Sequence, residues 1–205
     1  MIVNTQFIVL EKHPYRESAL LLKGLSPDYG RIGFVAHRAQ KITDNAFTGV
    51  DLYRELNIEF KDDRPGDLFT ADKIELLNDF SDVAESSLYY KTAARIGRFL
   101  MRNAAENIPL PYTYDAASSV FRHLADKVQD CQRWTLVQCA VVMKVAFLYE
   151  NGMLPEGANE SQNDFLENLV AAGIDGSELP ACPEQYWSQL NNWMNSLLEI
   201  NHLER

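Results

Sequence analysis

The chain has few cysteines, few histidines, no long apolar run and almost no positive charge in its last sixty residues. Each shortage excludes something. Cys131, Cys139 and Cys182 are three cysteines with no close pair, so a reducing compartment is expected and a disulfide framework is not. No C-x-x-C pair occurs, and the four histidines stand apart at 13, 37, 123 and 202. A structural zinc site needs four convergent ligands, usually two of them close in sequence, so no metal and no other cofactor is expected. No run of eighteen apolar residues exists, so no membrane-spanning helix is expected. Polar Asn4, Thr5 and Gln6 stand where a signal peptide needs apolar residues, which points to the cytoplasm. The G-x-S-x-G, P-loop and G-x-G-x-x-G motifs are all missing, so an enzyme is not expected. An acid–base pair built from residues distant in the chain stays open as a third reading. Asp62-Asp63 reads as a turn and not as a metal pair.

What is present describes a globular chain. Its 205 residues suit one large or two small domains, and 46% of them are apolar. The first forty residues are the most informative. Phe7-Ile8-Val9-Leu10 ends one strand-like run, a Pro14-Tyr15-Arg16-Glu17-Ser18 loop follows, and the run 19–22 begins a second. Ser26-Pro27-Asp28-Tyr29-Gly30 then turns the chain into a third run ending Phe34-Val35-Ala36. Proline presets φ in such a turn and glycine supplies a positive φ. Further strands are expected near 49–60 and 69–78, with the first three near 2–11, 18–25 and 31–37. Five strands in about eighty residues match the size of an OB-fold barrel.

After residue 80 the apolar pattern becomes helical. Helices are expected near 83–106, 114–129, 132–150, 164–172 and 184–202. Ser81 or Asp82 would cap the first, and Ile108-Pro109-Leu110-Pro111 would break it. The third is apolar nearly all round and should be buried, closing on Gly152 and Pro155. The expected class is α+β: an OB-like five-stranded β-barrel at 1–80, then an all-helical domain at 81–205 with no zinc module.

A net charge of −10 disfavours nucleic-acid binding at first sight. The distribution is uneven. Residues 1–41 carry +3 and 81–145 carry +2, while 42–80 carry −6 and 146–205 carry −9. The two basic segments are where a phosphate-binding surface is expected.

The block of Pro14-Tyr15-x-Glu17-Ser18, an apolar strand and Pro27-Asp28-Tyr29-Gly30-Arg31 resembles the N-terminal domain of the bacterial recombination-mediator RecO family. The order of a β domain and then a helical domain is similar, and so is Leu148-Tyr149-Glu150-Asn151-Gly152-Met153-Leu154-Pro155. Two departures stand out. The four-cysteine zinc module of many members is reduced to Cys182, and their basic Lys-Gly-Ala-Arg-like stretch is replaced by His37-Arg38-Ala39-Gln40-Lys41. The resemblance implies a non-enzymatic, nucleoid-associated DNA-repair protein. It would bind single- and double-stranded DNA, promote annealing and help load recombinase. Its partners would be RecR and the acidic C-terminal tail of single-stranded-DNA-binding protein.

Two sets of cations follow as candidates. The DNA-binding set is Lys12, Arg16, Lys23, Arg31, Arg38 and Lys41, with Tyr15 and Tyr29 placed to stack on bases or to pack on the barrel. The second set is Lys91, Arg95, Arg98 and Arg102, spaced 4, 3 and 4 on one helix face with no acid between Glu85 and Glu106. That stripe spans about 16 Å and would take DNA or the partner tail. A plain solvated face is the competing reading. The last helix carries Tyr186, Trp187 and Trp193, and its two tryptophans are expected in the core. The alternative function is a protein-interaction adaptor whose OB-like domain binds protein and not DNA.

Overall fold

The computed structural model describes residues 1–37, 39, 50–62, 66, 68–127 and 132–204. The chain forms two compact units. One is Met1–Asp82 with Leu100–Pro111, and the other is Val83–Phe99 with Tyr112 onward.

In the first unit β1 (Ile2–Tyr15), β2 (Ala19–Ser26), β3 (Gly30–Ala36), β4 (Arg54–Lys61) and β5 (Leu68–Asp79) close into a barrel. The order is β1-β2-β3-β5-β4, and β4 pairs back onto β1. Every neighbouring pair is antiparallel except β3 with β5. That is the OB-fold connectivity. Alternation along each strand sends Phe7, Leu22, Phe34, Ile58 and Phe60 inward, all 0% exposed. Phe34 meets Phe7 and Phe60 edge-on, each at 5.1 Å between ring centres. Burying each such side chain contributes about 1.5–3 kcal/mol.

Two strand ends differ from expectation. β1 runs on to Tyr15, through Pro14. Its pairing with β4 stops at Ile8, so beyond that point β1 pairs with β2 alone among the described strands. A free edge is where a strand tolerates proline. β4 begins at Arg54 because Tyr53 is left-handed, at φ 58°. The Tyr53 N–H donates to Val9 O and its carbonyl accepts from Phe80 N–H.

The Ser26–Gly30 turn is built as the residues suggest. Ser26 Oγ accepts from the N–H groups of Asp28 and Tyr29, and Gly30 sits at φ 61°. Only glycine fits there, since a Cβ would lie 2.4 Å from Ile108 O and 2.5 Å from Ala105 O. This close approach holds 100–111 on the turn: Arg31 N–H donates to Ala105 O and Leu110 N–H to Pro27 O.

The second unit is helical. A 3-10 turn, Ser81–Glu85, comes before α1 (Ser87–Asn103), so the first helix is shorter than expected at both ends. Pro111 opens α2 (Pro111–Leu124), the position where a missing N–H costs nothing. The Glu150 carboxylate caps α2 by accepting from the N–H groups of Tyr112 and Thr113. α3 (Leu136–Glu150) starts on a Thr135/Gln138 capping box and is buried along most of its length. α4 (Glu160–Asp175) and α5 (Glu184–Ile200) both pack against α3. α4 starts earlier than expected because the Asn159 side chain caps it. No described helix is long and apolar enough to cross a membrane.

Candidate nucleic-acid and partner surfaces

The barrel cations fall into different environments. The turn Arg16-Glu17-Ser18 joins β1 to β2, and Arg16 takes a left-handed φ of 54°. Its guanidinium is exposed and lies 5.2 Å from the centre of the Tyr15 ring. Leu20 pairs with Ala36, the last residue of β3, so this turn and the exit of β3 share one end of the barrel. Arg38 and Lys41 follow that exit in sequence but lie outside the described residues. Lys23 is exposed at mid-strand, opposite Glu11 in the β1·β2 register.

The other two cations are engaged. Lys12 pairs with Asp51 at 2.5 Å, and that contact, with the Leu52 N–H bond, holds the Asp51 carboxyl below its usual range despite partial burial. Arg31 donates from Nη1 to Met101 O at 2.7 Å and from Nη2 to Glu106. Tyr29 packs edge-on to Phe60 at 5.5 Å and donates to Asp62. Burial first, and then the Asp62 charge, raise the Tyr29 hydroxyl pKa.

In the helical unit, α1 presents Lys91, Arg95 and Arg98 to solvent, and no ion pair joins them to a described residue. Arg102 is exposed on the last turn of α1, which belongs to the first unit. Beside Arg95 and Arg98 a groove of about 510 Å³ opens between α1, α3 and α5. Its floor is apolar, formed by Ile96, Phe99, Val137, Ala140 and Met143. A further cation, Lys144, reaches it from α3, held by Asn191 and Asn195 at 2.7 Å each. An apolar floor with cations at the rim suits an acidic peptide with an apolar end.

Among the described residues no group of three metal-ligating side chains converges. Buried His123 stacks on Trp134 at 3.7 Å, takes the Trp134 N–H on Nδ1 and faces Gly176 O with Nε2. Burial, with Arg122 and Arg133 nearby, lowers its pKa to about 4. Burial raises the Cys139 thiol to about 12. Both are packed core groups.

Residues 1–80 match the family model described as recombination protein O N terminal. No curated protein matches the chain. The N-terminal barrel belongs to the recombination protein O family. The OB-like connectivity and the helices that follow agree with that family's layout. The match covers residues 1–80 of the 205 and likens the barrel to the N-terminal domain of recombination and repair proteins of that family.

Sequence reasoning did not single out Lys144, Asn191 or Asn195. One signal was there: Lys144 is the sole cation in the apolar run of α3. The Tyr186–Trp193 set divides, with Trp187 3% exposed but Tyr186 49% and Trp193 37% exposed. Only Trp187 sits in the core as expected.

Proposed function

We propose that this chain is a recombination mediator with two working surfaces. The first is the barrel end that carries Arg16 and leads into the segment of Arg38 and Lys41, with Lys12 and Lys23 along the adjoining strands and Arg31 at the far end of β3. It binds the sugar–phosphate backbone of single- and double-stranded DNA. Bringing two strands together means overcoming phosphate repulsion, and a cationic rim lowers that barrier without bond chemistry. The second surface is the α1 stripe with its groove. It takes the acidic, apolar-ended tail of single-stranded-DNA-binding protein, which brings the mediator to coated DNA. With RecR as partner the bound protein then helps load recombinase.

The observation that carries this reading is the groove, where Arg95, Arg98 and Lys144 border an apolar floor. The family match of the barrel supports the DNA half. A fluorescence titration with short single-stranded DNA at low and moderate salt tests that half. Affinity should fall steeply with salt and fall again in Arg16→Glu/Arg38→Glu/Lys41→Glu. Salt-independent or absent binding would instead favour the adaptor reading, in which the barrel binds protein.

A further inference from the structure

A second groove, between α4 and α5, has no part in either surface above. Phe165, Leu166, Leu190 and Trp193 form its apolar lining, Tyr186 borders it, and its volume is about 690 Å³. Two of these aromatics keep a substantial share of their surface in water, with Tyr186 49% and Trp193 37% exposed. Large aromatics grouped around an open apolar groove mark a contact surface, because leaving them solvated costs free energy that a partner recovers.

The two helices that form this groove carry acids and no lysine or arginine. Glu156 lines it, and Glu160, Asp164 and Glu184 are exposed on the two helices that form it. Residues 145–204 contain no lysine or arginine. Such a field repels nucleic acid and acidic peptides. It also makes this groove the electrostatic opposite of the α1 groove, where the rim is cationic.

We propose that the α4–α5 groove receives a positively charged segment of a partner protein, an amphipathic helix whose apolar residues enter the groove while its lysines and arginines face the acids. Spacing of i, i+4 on such a helix matches a slot between two helices. The apolar lining supplies affinity, and the carboxylates set the sign of the partner and its rate of arrival.

The full chain, labelled with 15N, provides a local readout, because its three indole N–H signals arise from Trp134, Trp187 and Trp193. Trp134 and Trp187 are each 3% exposed, so Trp193 is the solvent-facing reporter. The probe is a helical peptide of about sixteen residues with leucines at i, i+4 and lysines elsewhere, set against a twin with glutamates for lysines. The lysine peptide should shift the Trp193 signal saturably, assigned with Trp193→Phe, and the glutamate peptide should leave it unmoved. Glu156→Lys/Glu160→Lys/Asp164→Lys, all surface changes, should weaken the lysine peptide roughly tenfold or more while DNA affinity does not fall. Tyr186→Ala, which keeps the Trp193 reporter, should weaken it comparably. Equal shifts by both peptides, or a still Trp193 signal, would overturn the proposal. So would concentration-dependent self-association abolished by the triple reversal, since a second copy would then own the face.

Discussion

Lys144 on α3 directs its ammonium at Asn191 on α5, with Nζ 2.7 Å from Oδ1. An amide oxygen orients a cation by a hydrogen bond and carries no full opposing charge of its own. Asn195 repeats the arrangement one turn along. Two asparagines therefore fix a lysine at the wall of an apolar groove whose outer rim carries Arg95 and Arg98. The arrangement uses three separate helices to set cations around an apolar floor.

If that groove takes an acidic, apolar-ended peptide, Arg95→Glu/Arg98→Glu should weaken a labelled peptide of that kind at least roughly tenfold by anisotropy, since each rim charge turns from attractive to repulsive. Lys144→Met should weaken it less, because the floor survives. Added salt should reduce the wild-type affinity. An unchanged affinity in the double reversal would remove the peptide from this groove.

His123 makes folding sensitive to acid. Burial lowers its folded pKa to about 4, below the ordinary histidine value of 6.5. The unfolded chain therefore takes up the proton first, so this contribution is fully present above about pH 6.5 and is lost as pH falls toward 4. The full effect is on the order of 3 kcal/mol. Urea midpoints measured between pH 7 and 4.5 should decline, and His123→Phe should flatten the part of the decline above pH 5. A parallel decline in both proteins would assign the effect to other groups.

Gly30 and Gly152 are both left-handed, at φ 61° and 66°, but only Gly30 is crowded by carbonyl oxygens. Gly152→Ala should cost about 1 kcal/mol for its backbone alone. Gly30→Ala should cost well over 2 kcal/mol, because the Ile108 and Ala105 carbonyls must move. Equal losses in thermal or denaturant unfolding would show that 100–111 yields without resistance.

Arg31 and Arg16 should separate stability from DNA affinity. Arg31 is tied to Met101 O and Glu106, so Arg31→Gln should cost about 1–3 kcal/mol of stability by leaving those acceptors short of a donor. Arg16 is an exposed turn residue. Arg16→Gln should barely change stability and should weaken DNA binding more than Arg31→Gln does. The reverse ranking on DNA would place the phosphate path at the other end of β3.

Much of the barrel was readable because its information is local. Phe7, Val9, Leu20 and Leu22 alternate as buried strand residues, and Pro27 with Gly30 announces the turn between strands. Pro109 and Pro111 likewise separate α1 from α2. What could not be read depends on residues far apart in the chain. Arg31 looked like a free cation until Glu106, 75 residues on, was placed beside it. Lys12 finds Asp51 from 39 residues away, and Lys144 finds Asn191 from 47. The α1 stripe was legible because i, i+3 and i, i+4 spacing is a property of one helix. Its groove was not, because α3 and α5 supply the other walls.

The most direct test of the whole account is the rate at which complementary strands anneal when coated with single-stranded-DNA-binding protein. This chain should accelerate annealing, and the acceleration should drop when the coating protein lacks its acidic tail or when Arg95 and Arg98 are reversed to glutamate. It should vanish in Arg16→Glu/Arg38→Glu/Lys41→Glu. Annealing no faster than with the coating protein alone, across low to moderate salt, would contradict the mediator assignment.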